Sequence, residues 1–412
     1  MLDVCQRRGT GLLVLGWIIG ACGTSGPDEF ESDASACPDQ PLAQLGSKPY
    51  FVALNSFYLQ EEAARAIRRG DFASPIIEEV FAKALALGVS VVRTWGFNDA
   101  PEKAWDSAIQ IGPLQYDEIA LRGLDLVLAR ASARGIQLIL PLGNYWNDYG
   151  GARQYVAWAG LPDPIEGDPR FFTERAVIDH YKQHLRGLLN RINTMDGLRY
   201  GDHPAVLAWE LLNEPRNRGL DGQGDALRVW IDEIGAQLKS LSPGKLIGTG
   251  AEGFESSYAG YDETFWRHAG PSLFQGTDHF RKNLESSYVD FGSIHYFPET
   301  WNIAFHQVAL AGARWIYEHA NQARQLGKPL VLGEFGLRNS GSFGLAERRA
   351  MYRGWLHCAR KTGLAGVAPW VFANDARPDD WDMHTFYFRD GTDPRDPRNR
   401  YADLISEAAT RR

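Results

Sequence analysis

Metal-binding spacing is missing from this 412-residue chain. Its four cysteines include no CxxC pair, and its ten histidines form no HExxH motif. No catalytic metal is therefore expected, and no cofactor motif replaces one. Basic runs are also missing: a formal net charge of -8 excludes nucleic acid as a partner, because such binding rests on clustered Lys and Arg. There is no repeat of fixed length. The N-terminal apolar stretch "GLLVLGWIIGAC" is too short for a permanent membrane span. What the chain holds in plenty is aromatic, with 13 Trp and 16 Tyr, side chains that pack cores and also stack on sugar rings.

Arg7 and Arg8 precede that apolar stretch, and small residues follow it, the pattern of an export signal. "IGAC" resembles a bacterial lipobox, so residues 1–22 are expected to be a lipoprotein signal with Cys22 lipidated; cleavage without lipidation is the alternative. The protein is then exported to the cell surface or outer membrane, or secreted, and meets a membrane only through that anchor. Residues 23–47 are polar and poor in branched apolar side chains, and they read as a flexible tether. Residues 48–405 form the catalytic domain. Cys37 and Cys358 remain: an oxidising compartment permits a bridge between them, and a free Cys37 with a buried Cys358 thiol is equally compatible with the sequence.

Eight short, β-branched apolar segments alternate with helical patterns. They begin at Tyr50, Gly88, Ile136, Ala205, Lys245, Phe291, Pro329 and Gly363. Near-continuous apolar runs suit parallel strands buried on both faces, so the α/β chain is expected to fold as a single-domain (β/α)8 TIM barrel. Helices are predicted over "SPIIEEVFAKALALG", with Ser74 as N-cap and Pro75 first in the helix, and over three later segments. Residues 144–172 read as one long loop whose Trp146, Tyr149, Tyr155 and Trp158 form a sugar-binding wall.

Active sites of such barrels lie at the C-terminal strand ends. There the sequence places Arg93, Asn144, Asn213, Glu214, His295, Glu334 and Trp370. Pro215 has no N–H to donate and biases Glu214 towards an extended conformation at a strand tip. Glu214 in "LLNEP" and Glu334 in "VLGEFG" are carboxylates that follow a strand core and precede a turn. Two carboxylates on one rim are what retaining glycoside hydrolysis needs. Arg93 would keep one of them, Glu334, ionised; an ion pair that only holds the barrel is the structural alternative.

"VVRTWGFND", "GNYWNDYGGARQYVAWAG", "WELLNEPR", "IHYFPETW" and "VLGEFG" resemble, in order, the endo-β-1,4-mannanases of glycoside hydrolase family 5. The resemblance spans roughly residues 48–401. It implies Glu214 as acid/base, Glu334 as nucleophile, and Asn213 as ligand of the sugar 2-hydroxyl. Arg93 and His295 would position and polarise the nucleophile's surroundings, Trp370 would floor the subsite of the attacked sugar, and Trp146, Arg216 and Trp301 would line neighbouring subsites. The implied partner is β-mannan, cut by a monomer. Asn144 agrees with this branch, where wider relatives carry His. One departure stands out: the family's His-x-Tyr after the sixth strand is here His295, Tyr296, Phe297. Either Tyr296 reaches the nucleophile through a local shift, or Phe297 replaces it.

A β-1,4-glucanase or exo-mannosidase of the same family is the second enzymatic reading, and a non-catalytic polysaccharide-binding lipoprotein the third. A phosphate-binding barrel enzyme would need a Gly-rich anion site after the last two strands, which "GEFG" and "PWVFAND" do not offer. Trp95, Trp105, Trp209, Trp355 and Trp381 are expected in the core. His180, His184 and His279, and the loop bearing Glu252 and Glu255, are expected in solvent.

Overall fold

A computed structural model describes residues 37–411 apart from 101, 103–105, 221–223, 340, 342, 375–383 and 390. The signal region with Cys22, residues 23–36, Trp105 and Trp381 lie outside the described residues. Each of the eight apolar segments supplies one strand of a parallel sheet: β1 Phe51–Asn55, β2 Val91–Arg93, β3 Gln137–Pro141, β4 Val206–Glu210, β5 Leu246–Gly248, β6 Gly292–Tyr296, β7 Leu330–Phe335 and β8 Gly366–Pro369. The strands run in the order β5-β4-β3-β2-β1-β8-β7-β6, and a bridge between Gly248 and Phe291 joins the two ends into a barrel. Closure of this kind leaves no strand edge to solvent.

Alternation along the strands builds the interior in layers. Phe51, Ala53, Val91, Ile139, Ala208, Phe291 and Val331 form an apolar inner cluster. One side-chain repeat further along, the same inward rows carry Asn55, Arg93 and Glu210, and two repeats beyond Phe291 comes His295, all buried. The barrel is therefore apolar at its N-terminal end and charged at its C-terminal end. Around it, helices such as Glu118–Ala133, Arg175–Asn190, Val308–Gln325 and Leu345–Lys361 bury a second, larger core. Trp95, Trp209 and Trp355 belong to it, as expected.

Residues 37–47 are not a tether. Cys37 bonds Cys358 with a Cα separation of 5.4 Å, which decides the question the sequence left open. Gln40 and Ala43 donate backbone hydrogen bonds to the carbonyls of Lys361 and Gly363, and Leu45 plugs the apolar end of the barrel with no exposed surface. Polar composition hid two anchoring residues. The long loop after β3 also folds further than its composition predicts: Gly151–Trp158 is helical, and Tyr155 is buried, its hydroxyl donating to Asp99 at 2.9 Å. Tyr155 therefore belongs to the core rather than to a sugar-binding wall. Ser74 occupies the N-cap position of helix Pro75–Ala86, but its side chain makes no capping bond.

Candidate active site

Glu334 owes its aim to a β-bulge. β6 and β7 pair Ile294 with Leu332 and then His295 with Glu334, which leaves Gly333 as the extra residue. A bulge turns the following side chain, here inward over the barrel. Asn55, at the end of β1, fastens the bulge by donating to the Gly333 carbonyl at 2.9 Å, while its Oδ1 accepts from Arg93 at 3.3 Å. Arg93 is the hub. Its guanidinium donates to Glu210 at 2.9 Å, to Glu334 at 2.5 Å and to Asn213 Oδ1 at 2.8 Å. Burial works against the Arg93 charge, but Glu210 and Glu334 outweigh it and hold its pKa above the ordinary value.

Glu214 lies four residues beyond the last residue of β4. Its backbone is left-handed, with φ 54°, rather than the extended form that Pro215 favours. Two loop contacts fix that turn: Asn213 N–H donates to Gly143 O and Glu214 N–H to Gly250 O, both at 2.8 Å. Such backbone strain is sustained where surrounding structure over-determines it. The Glu214 carboxylate accepts from Trp146 Nε1–H, and its Oε1 lies 2.6 Å from His295 Nδ1. One oxygen of Glu214, one nitrogen of His295 and one oxygen of Glu334 all fall within 4.8 Å of one another. By distance these three could ligate a cation, yet Arg93 already supplies the positive charge against Glu334.

Burial pushes both carboxyls up. Glu334 rises to about 7, opposed by His295 and Arg93 and reinforced by the Glu214 charge. Glu214 also rises through burial, opposed by Arg216, the Trp146 bond and Arg93. Of the two, Glu334 alone has a guanidinium at 2.5 Å, a contact that favours its ionised form. Burial lowers His295, so it is neutral near pH 7.

Asn213 donates to Asn144 Oδ1 at 3.1 Å, and Asn144 donates to Asp148 O at 3.0 Å. Trp370 is half-buried and stacked on Phe57, ring planes 5° apart and centroids 5.2 Å apart. Arg216 is gripped between the rings of Trp146 and Phe254, 4.7 Å from each, and makes a two-pronged ion pair with Glu252.

Four expectations are corrected. Tyr296 is not a site residue: its hydroxyl points away and donates to Val308 O at 2.8 Å, because residues adjacent on a strand face opposite sides. Phe297 instead packs against His384. His295 bonds Glu214 more closely than Glu334, from which it lies 3.7 Å, so it contacts both carboxyls and not only the surroundings of Glu334. Trp301 is 7% exposed in a cluster with Phe254, Tyr296 and Trp315, where it underlies the site more than it lines it. Lastly, Glu252, Glu255, His180, His184 and His279 are buried rather than solvated. Glu252 is pushed to about 7 by burial and then by the Glu214 charge, with Arg216 opposing. Glu210, Asn55 and Glu252 were missed as site residues. Glu210 had a signal, an acid ending an apolar strand one side-chain repeat from Ala208.

A closed (β/α)8 barrel with two carboxylates facing each other at its C-terminal end defines a class, the glycoside hydrolases that work with a carboxylate pair. The family model described as GH family 5 beta-mannosidase-like matches residues 39–403. The chain is 34% identical over 342 residues to mannan endo-1,4-beta-mannosidase 3 of Arabidopsis thaliana, covering 80% of each chain. It is 36% identical over 298 residues to mannan endo-1,4-beta-mannosidase 5 of Solanum lycopersicum, covering 71% of this chain and 68% of that one. Its fold superposes on the endo-beta-1,4-mannanase from Thermotoga petrophila with a TM-score of 0.77 and 30% identity, covering 89% of this chain and 78% of the other. The chain belongs to glycoside hydrolase family 5, in its β-mannosidase-like branch.

Proposed function

We propose that this enzyme is a retaining endo-β-1,4-mannanase acting on mannan, galactomannan or glucomannan. The observation that carries the mechanism is the Glu214–Glu334 approach, with oxygens within 4.8 Å. Retaining glycosidases hold their carboxyls about 5–5.5 Å apart, whereas inverting ones leave about 6.5–9.5 Å for a water. Glu334 attacks the anomeric carbon while Glu214 gives its proton to the leaving glycosidic oxygen. Glu214, now ionised, takes a proton from water as that water attacks the mannosyl–Glu334 ester, and Glu334 leaves as carboxylate. Among the described residues, Arg93 is the hydrogen-bond donor to the nucleophile; Phe297 has no hydroxyl to offer. Trp370 floors the subsite of the attacked sugar, Asn213 meets its 2-hydroxyl, and Trp146 and Arg216 line the leaving-group side. The mannan assignment rests on the chain's similarity to mannan endo-1,4-beta-mannosidases.

The enzyme is exported and held by lipid on Cys22; the Cys37–Cys358 bridge suits an oxidising compartment. It acts as a monomer in this reading; one chain carries both carboxylates, so no second copy is needed to complete the pair. The functional test is reducing-end release and viscosity loss on linear mannan, galactomannan and carboxymethyl-cellulose, with Glu334→Gln in parallel. Mannan thinning abolished by the substitution supports the reading; preference for cellulose, or tight mannan binding without turnover, rejects it. Labelling with radioactive palmitate, lost in Cys22→Ser, tests the anchor.

A further inference from the structure

His295 holds Glu214 through Nδ1, and its other ring nitrogen has no such anchor. Nε2 is buried and makes no hydrogen bond to the described protein, and the same holds for Ser293 Oγ. Both residues have no exposed surface. Buried polar groups left without partners are rare, and two beside a reacting carboxyl call for a physical reason. They also face the same spot. Ser293 and His295 are two apart on β6, hence on one side of it, and both look onto Gly333, the bulge residue of β7.

Gly333 lets both polar atoms approach its backbone closely. A Cβ there would stand 2.6 Å from Ser293 Oγ and 3.2 Å from His295 Nε2, which any other residue would have to displace. The two atoms are thus less than about 6 Å apart and not directly bonded, a span that one water closes with two ordinary hydrogen bonds. We infer that Ser293 is a positioning residue of the acid/base machinery: through one water seated beside Gly333, it supplies a hydrogen to His295 Nε2 and thereby keeps the imidazole hydrogen on Nδ1, aimed at Glu214.

The consequence for Glu214 follows from donor and acceptor roles. A neutral imidazole has one N–H and one bare nitrogen, and the partner of one fixes the other. With the hydrogen on Nδ1, Glu214 Oε1 is always an acceptor. The catalytic proton then rides on Oε2, the oxygen beside Trp146, where a leaving group can meet it. The same N–H steadies Glu214 when it is ionised and acts as base. The charged neighbours of His295 are Glu334, Arg93, Glu252, Glu210 and Glu214. None of them donates to Nε2. Ser293 is the nearest side chain able to do so at the Gly333 spot.

The inference rests on Glu214 being the acid/base, and its test separates the two. Histidine-selective ¹⁵N labelling reads the tautomer of His295, assigned by loss of its signals in His295→Gln. The unsubstituted enzyme should carry the hydrogen on Nδ1 between pH 6 and 8. In Ser293→Ala the hydrogen should populate Nε2. Turnover of an aryl β-mannoside with a good leaving group, limited by the step that needs ionised Glu214, should then fall about tenfold, the low end of what outer hydrogen-bond partners contribute. The acidic limb of its pH profile, set by protonation of Glu214, should move up, because Glu214 loses a donor to its carboxylate, and Ser293→Thr should restore both. Hydrogen on Nε2 in the unsubstituted enzyme overturns the inference, whether or not the Ala variant folds well. So does an unchanged tautomer and pH profile in Ser293→Ala while Glu214→Gln is inactive. If Glu214→Gln keeps full turnover, the acid/base reading itself fails.

Discussion

The two ends of the barrel obey opposite rules. At the N-terminal end, Leu45 closes an apolar plug over Phe51, Ala53, Val91 and Phe291, and a disulfide ties the segment that carries it. At the C-terminal end the same strands deliver Arg93, Glu210, Glu334 and His295 into an equally dry interior. One end spends its burial on stability. The other holds charges whose desolvation works against folding unless partners compensate it, and there burial raises the Glu214 and Glu334 carboxyls, as proton transfer requires. The Gly333 bulge and the left-handed Glu214 both sit at the charged end, while a further bulge at Leu207 lies in the apolar layer.

Substitutions at the two ends should therefore separate activity from stability. Glu334→Gln should reduce turnover on mannan on the order of 10⁵-fold, the scale on which losing a nucleophile acts in other covalent enzymes. Its melting temperature should hold or rise, because a buried charge is gone; a Gln variant that melts far earlier would break the contrast. Arg93→Met should damage both properties, since it strands Glu210 and Glu334, with a stability loss of about 3–5 kcal/mol by denaturant unfolding. Leu45→Ala and Cys37→Ser should cost about 2–5 kcal/mol and about 2–4 kcal/mol. Mannan turnover at room temperature should be unchanged in both, and a lowered turnover with an intact fold would show that the ends are coupled.

The effect that is smallest per step concerns pH. Burial raises Asp278 to about 8, with the nearby Glu252 and Glu255 charges adding to the rise, and burial raises Asp99 to about 7. A carboxyl raised in the folded state keeps its proton there while the unfolded chain releases it. Stability is then greatest below the ordinary carboxyl range and falls as pH climbs towards 7–8. Asp278→Asn should remove about 1.4 kcal/mol per pH unit of that decline, read from unfolding free energies between pH 5 and 8.

Most of the frame was legible in the sequence because it rests on local pattern. Each barrel strand announced itself by a β-branched apolar run, and Glu214 and Glu334 by their place between strand and turn. What escaped depends on contacts across the barrel. Glu210 and Asn55 matter through Arg93, which reaches them from β2; Glu210 stood out as an acid ending an apolar strand, but nothing near either in sequence signals the contact with Arg93. Phe297 stood out only against the family pattern, and the alternation of β6 then explains why Tyr296 cannot take over. His180, His184 and Glu252 looked solvated because polar residues usually are. Residues 37–47 looked loose because one cysteine and one leucine, rather than composition, hold them down.

The central claim, that Glu334 is the nucleophile of a double displacement, is tested most directly by trapping. The enzyme would be incubated with a 2-deoxy-2-fluoro-β-mannosyl fluoride, digested with pepsin and mapped by mass spectrometry. The account requires one fluoromannosyl adduct, on Glu334 in "VLGEFG", absent from Glu334→Gln. An adduct on Glu214, or no adduct together with α-configured initial products from mannan, would contradict it.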